Sequence, residues 1–126
     1  MNALVQDWLD FWNGDLELAR KIVHEDFGWH VAPLTGGPQQ HREGRDAFVE
    51  WVRGSRTMLP GLRFSVDLGP IVQEPFHVLR WLVEAGPVSF HGTDILRTAD
   101  GKIAEYWLHE DGLWAAQQLG IVPTAS

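Results

Sequence analysis

Chemistry in this 126-residue chain must come from oxygen, imidazole and amine groups, because the sequence contains no cysteine. Thiolate nucleophiles, disulfides and Cys-ligated metal sites are excluded with it. Among the carboxylates Asp94 stands apart. It occupies the apolar phase of an alternating run with Phe90, Gly92 and Leu96, and Tyr106 falls on the apolar phase of the run that follows. An aspartate on an apolar face has a raised pKa, since burial disfavours its charged form. Such an acid can polarise a ligand carbonyl or move a proton. The same placement also serves an aspartate held by Tyr106 or a tryptophan N–H for structural reasons. Asp94 and Tyr106 are the candidate catalytic pair.

Seven tryptophans are present: Trp8, Trp12, Trp29, Trp51, Trp81, Trp107 and Trp114. Each brings a large apolar area and one N–H that wants a partner when buried. Trp12, Trp29 and Trp81 are placed to wall a ligand, whereas Trp51, Trp107 and Trp114 suit helix packing or a subunit contact; filling of the core is the alternative for all of them. His30 and His77 are candidate pocket histidines, although alternation lets only one of Trp29 and His30 face inward and favours Trp29. Arg80 and Glu84 fall on the outward phase. His109-Glu110-Asp111 is a polar run, but consecutive residues rarely converge on one ion, and Asp111 suits the cap of a last helix. No metal site is expected. No phosphate loop, dinucleotide fingerprint or nucleophile elbow occurs, so no cofactor is expected either.

The elements that position these residues follow from periodicity. Leu4, Val5, Trp8, Leu9, Phe11 and Trp12 recur at helical spacing up to Asn13-Gly14. Asp15 suits the cap of a second short helix with Leu18, Ile22 and Val23 on its buried side. Phe27 to Val31 reads as a strand, Pro33 to Glu43 as an aperiodic Gly- and Pro-rich loop and candidate rim, and Arg45 to about Met58 as a third helix stopping before Pro60. Beyond it the pattern turns to period two. Leu62, Phe64, Val66 and Leu68 share one phase; Phe76 to Glu84, Val88 to Arg97 and Lys102 to Leu108 follow as strands, and Gly112 to Leu119 as a closing helix with Leu113, Ala116 and Leu119 over the sheet. Helices first and antiparallel strands afterwards predict an α+β fold.

A three-residue loop at Ala99-Asp100-Gly101 would set Thr98 opposite Lys102, Leu96 opposite Ala104, Asp94 opposite Tyr106 and Gly92 opposite Leu108. Ile103, Glu105, Trp107 and His109 then face outward. A two-residue turn would instead oppose Asp94 to Trp107 and remove Tyr106 from the site. Across Gly86-Pro87, alternation sets Val83 opposite Phe90, Trp81 opposite Gly92, Leu79 opposite Asp94 and His77 opposite Leu96. Trp81 thus lies beside a glycine that leaves space, and Leu108 completes the wall.

Length and composition bound the rest. The chain suits one domain over residues 1–126, with 44% hydrophobic and 21% charged residues in the range of a folding protein. A formal charge of −7 repels phosphate backbones and anionic headgroups. Neither nucleic acid nor a membrane is an expected partner. The first residues lack the basic start and apolar core of a signal peptide, and no run approaches a spanning length, so a cytoplasmic location is expected.

Phe11-Trp12-Asn13-Gly14-Asp15-Leu16, Gly44-Arg45-Asp46-Ala47-Phe48, Asp94-Ile95-Leu96-Arg97 and Asp100-Gly101-Lys102-Ile103-Ala104-Glu105-Tyr106-Trp107, in that order, resemble the SnoaL-like polyketide cyclases of the nuclear-transport-factor-two-like superfamily. The resemblance implies a cone of bent antiparallel sheet with three N-terminal helices and a short C-terminal helix, and a homodimer through the outer sheet face using Trp107, Ile95 and Ile103. It also implies a cofactor-independent cyclase, isomerase or dehydratase acting on a small apolar or aromatic carbonyl compound. Two departures bear on function. The aspartate that cyclases and epoxide hydrolases carry on the final strand falls on Leu108 here, and the isomerase tyrosine and base fall on Asp7 and Val31. Asp94 does match, at the position where isomerases hold a protonated aspartic acid. A noncatalytic binder of an apolar ligand, or a dimeric interaction module, are the other readings, since fold alone does not decide chemistry.

Overall fold

In the computed structural model, residues 2–124 are described. The order is α1 (Ala3–Trp12), a 3₁₀ turn (Leu16–Leu18) running into α2 (Ala19–Ile22), β1 (Val23–Val31), β2 (Gln40–Glu43), α3 (Arg45–Met58), β3 (Arg63–Gln73), β4 (Phe76–Ala85), β5 (Val88–Ala99), β6 (Lys102–Glu110) and α4 (Gly112–Gln118). The six strands form one curled, unclosed sheet in the order β2-β1-β6-β5-β4-β3. This is the expected α+β architecture, except that β1 runs parallel to β6 while every other pair is antiparallel.

The apolar stripe of α1 drives its packing. Val5, Trp8, Leu9, Phe11 and Trp12 are all buried, and the helix is opened by Asn2, whose Oδ1 accepts the Val5 N–H at 2.8 Å. Trp8 stacks on Phe48 of α3 with ring centroids 5.8 Å apart, and Phe48 in turn meets Phe11, Phe27, Trp29 and Tyr106. Most of the aromatic content is therefore spent between the helices and the inner sheet face.

Local expectations are corrected in several places. Asp15 makes no side-chain capping bond, and the second helix ends so early that Val23 opens β1 instead of lying on a helix. The Pro33–Glu43 segment is not all loop, because its last four residues pair with β1 as β2. Leu68 is exposed, since a register shift after Val66 breaks the alternation of β3. Leu113 of α4 also faces out, and Ala115 and Ala116 provide its buried contact.

The β4–β5 register is as expected at Val83–Phe90, Trp81–Gly92, Leu79–Asp94 and His77–Leu96. The β5–β6 register is not. Asp100 and Gly101 both have positive φ, 55° and 76°, and close a two-residue turn that opposes Ala99 to Lys102 and Thr98 to Ile103. An irregularity then follows: Arg97 opposes Glu105, leaving Ala104 as the extra residue of a β-bulge. Ile103 is consequently fully buried, not outward. The bulge restores Tyr106 and Leu108 to the inner face, with Tyr106 opposite Leu96 and Leu108 opposite Asp94.

Candidate functional site

Asp94 is 3% exposed and accepts three hydrogen bonds from three different elements. Trp8 Nε1 of α1 donates to Oδ2 at 2.9 Å, Trp81 Nε1 of β4 donates to Oδ1 at 2.8 Å, and the Tyr106 hydroxyl of β6 donates to Oδ1 at 2.8 Å. Although Tyr106 does not oppose Asp94 in the ladder, the diagonal reach of its long side chain covers the offset. Burial raises the Asp94 pKa from its ordinary 3.8 to about 6, with the Trp8, Trp81 and Tyr106 donors pulling the other way. Burial, followed by the negative charge of Asp94, holds the Tyr106 phenol well above its ordinary 10.

A cavity of about 320 Å³ lies against this centre. Trp12, Trp51, Trp81, Phe64, Phe90 and Leu108 provide apolar wall, and Asp94, Tyr106 and Glu110 provide polar groups. Pro33, Leu34 and Thr35 of the long segment, and Gln40 and Arg42 of β2, complete the lining. The segment expected at the rim thus does border the cavity, partly as strand. Trp81 lies directly over Gly92: a Cβ there would sit 2.1 Å from the Trp81 ring, so the glycine accommodates the indole and leaves no open space. Buried Trp12 Nε1 and Trp29 Nε1 have no hydrogen-bond partner among the described residues.

Other sequence candidates lie elsewhere. Trp29 is buried in the aromatic core and does not line the cavity. His30, on the opposite phase of β1, is on the outer face, where it stacks on Trp107 (5.2 Å, 5°) and bonds Glu105 Oε2 at 2.7 Å. That bond first, then Arg97, holds the Glu105 carboxyl below its ordinary 4.5, against the effect of burial. His77 is on the inner phase but beyond the cavity, between Asn2 Nδ2 (3.4 Å) and Glu74 Oε1 (3.2 Å). Arg80 is outward, paired with Asp67 at 2.9 Å.

Three contributors escaped sequence reasoning. Trp8 was visible as a buried helical position, but nothing local directs its N–H at a strand 86 residues away. Trp51 lines the cavity in addition to packing α3. Glu110 did have a signal: it continues the inward phase of Tyr106 and Leu108, and it opposes Gly92. Burial first, then the charges of Asp94 and Asp111, raise its pKa from 4.5 to about 7. Among the described residues there is no group of three or more His, Asp or Glu side chains arranged to hold a metal ion, and no helix long and apolar enough to cross a membrane.

The family model described as "SnoaL-like domain" matches residues 5–106. IdmH, a candidate polyketide cyclase from Streptomyces antibioticus, superposes with a TM-score of 0.76 at 20% identity, over 93% of this chain and 96% of its own. A candidate polyketide cyclase from Bacillus cereus gives 0.74 at 27% identity, over 94% and 79%. A candidate SnoaL-like polyketide cyclase from Jannaschia sp. gives 0.80 at 17% identity, over 95% and 91%. No curated protein matches the sequence at a significant level.

Proposed function

This chain belongs to the SnoaL-like domain family, and from that premise we propose that it binds a small apolar or aromatic carbonyl compound and moves a proton on it without a cofactor, as a cyclase, isomerase or dehydratase does. The observation that carries this reading is a triply bonded carboxylate, Asp94, bordering a cavity with a largely aromatic and aliphatic wall. With Asp94 ionised, Tyr106 donates to it and offers oxygen lone pairs to a ligand hydroxyl. With Asp94 protonated, its O–H turns to the Tyr106 oxygen, and the phenol is released to donate to a ligand carbonyl. A pKa of about 6 keeps both forms within reach near neutrality. Trp12 also lines the cavity, and its buried N–H has no partner among the described residues.

The test is hydrogen–deuterium exchange beside the carbonyl of 2-tetralone in D₂O, followed by proton NMR. Exchange above the buffer rate, reduced about 100-fold in Asp94→Asn, is expected of a positioned acid–base centre. Binding without exchange would favour the noncatalytic binder, a reading supported by Leu108 at the position of the family's final-strand aspartate. The reading extends to a homodimer through the outer face, where Ile95 opposes Trp107; the buried Ile103 takes no part. Sedimentation equilibrium should give twice the 14.3 kDa chain mass, and a monomer at micromolar concentration would remove the dimer. The cytoplasmic placement is part of the same proposal.

A further inference from the structure

The cavity holds two carboxyl groups in different circumstances. Asp94 is enclosed and engaged by three donors, two of them indole N–H groups that cannot accept a bond in return. Three of the roughly four lone-pair sites of its carboxylate are thus engaged, and at 3% exposure it offers little room for a ligand carbon to approach the fourth. Glu110 is placed otherwise. It opposes Gly92, over which the Trp81 ring lies. Its carboxyl has no hydrogen bond or ion pair with another described side chain, and it borders both the main cavity and an adjoining one of about 290 Å³. Trp12, with its unpartnered N–H and 6% exposure, borders the main cavity too.

We infer that Glu110 is the catalytic base of this protein, taking the proton from the carbon beside the ligand carbonyl and returning it, while Asp94 exchanges its proton only with Tyr106. The inference rests on the proton-transfer reading above and supplies the group that Leu108 cannot. In the step, the Glu110 carboxylate takes the C–H proton, the C–H electron pair becomes the C=C bond of an enolate, and the carbonyl π pair moves onto oxygen. Tyr106 donates to that oxygen. Exchange of the Glu110 proton with D₂O before a deuteron returns to the same carbon gives the labelled ketone, and in a ligand whose enolate is extended by an adjacent C=C, delivery to the far end of that system gives isomerisation; nothing is oxidised or reduced. The charged groups around Glu110 are Asp94 on β5 and Asp111 just beyond β6, with Arg42 of β2 on the same cavity. Burial first, then the charges of Asp94 and Asp111, disfavours its ionised form, so proton release falls near neutrality.

The experiment measures 2-tetralone exchange from pH 5 to 9 in the intact protein, with occupancy read separately from indole N–H shifts. Wild type should exchange with a maximum between about 6 and 7, where the two carboxyls share one proton. Glu110→Gln should bind equally well yet lose about 100-fold in rate together with that maximum. Glu110→Asp, with its shorter reach, should keep the pH profile at a lower rate, and His109→Gln on the exposed phase should match wild type. Full exchange in Glu110→Gln overturns the assignment of Glu110 and leaves the proton-transfer reading standing. Absence of exchange in bound wild type overturns both.

Discussion

At Asp94, two indoles and a phenol donate to one carboxylate, and removing a donor acts on the charged form. Trp8→Phe should destabilise the protein by about 1.5–3 kcal/mol above pH 7, the range for a hydrogen bond to a charged group, and by less at pH 4, where Asp94 is protonated with or without the indole. Urea unfolding at the two pH values checks this. Glu110 gives the opposite sign. Its folded pKa of about 7 exceeds its ordinary 4.5, so the stability associated with its protonated form is complete below pH 4.5 and lost as pH rises through 7. Glu110→Gln should therefore match wild type at pH 4 and exceed it at pH 8 by up to about 3 kcal/mol, at 1.36 kcal/mol per pKa unit; equal unfolding midpoints at pH 8 would contradict the burial assigned to this carboxyl. Of these residues the sequence exposes Asp94 and Tyr106, because a polar group in an apolar alternation is conspicuous. It hides Trp8, whose role depends on a partner 86 residues away, and half-hides Glu110 among polar neighbours.

The β4–β5 hairpin is legible almost residue by residue, since its turn is short and both strands alternate cleanly. The β5–β6 hairpin shows what alternation leaves out. A two-residue turn and a bulge at Ala104 together keep Asp94, Leu96, Tyr106 and Leu108 on one face, which is also the face that a three-residue loop would give. The face is therefore readable, but the partners are not: Asp94 opposes Leu108, and Ile103 turns inward. Gly92 tests the β4–β5 packing. In Gly92→Ala the new methyl carbon meets the Trp81 ring at 2.1 Å, so the indole must move and its bond to Asp94 breaks. Overpacking of this kind costs about 1–3 kcal/mol, and the lost charged bond adds to it. Thermal unfolding and near-ultraviolet circular dichroism should report both, whereas an unchanged spectrum would place Trp81 elsewhere.

For the molecule as a whole, the helical stripe of α1, the long α3 and the run of strands announce the family fold, and the curled sheet creates a concave face that the helices only partly fill. The cavity itself is not written in any segment. It arises where α1, α3, the 32–35 turn, β2 and the inner sheet face meet, and β2 is a short exposed strand without a periodic signal. Seven indole N–H groups report on the site independently: Trp12, Trp51 and Trp81 line the cavity, while Trp107 and Trp114 lie outside it. The most direct measurement is a ¹⁵N–¹H spectrum of the indole region during titration with 2-tetralone. The account predicts saturable shifts at Trp12 and Trp81 with Trp114 unmoved; shifts confined to Trp107 or Trp114, or none at saturating ketone, would contradict it.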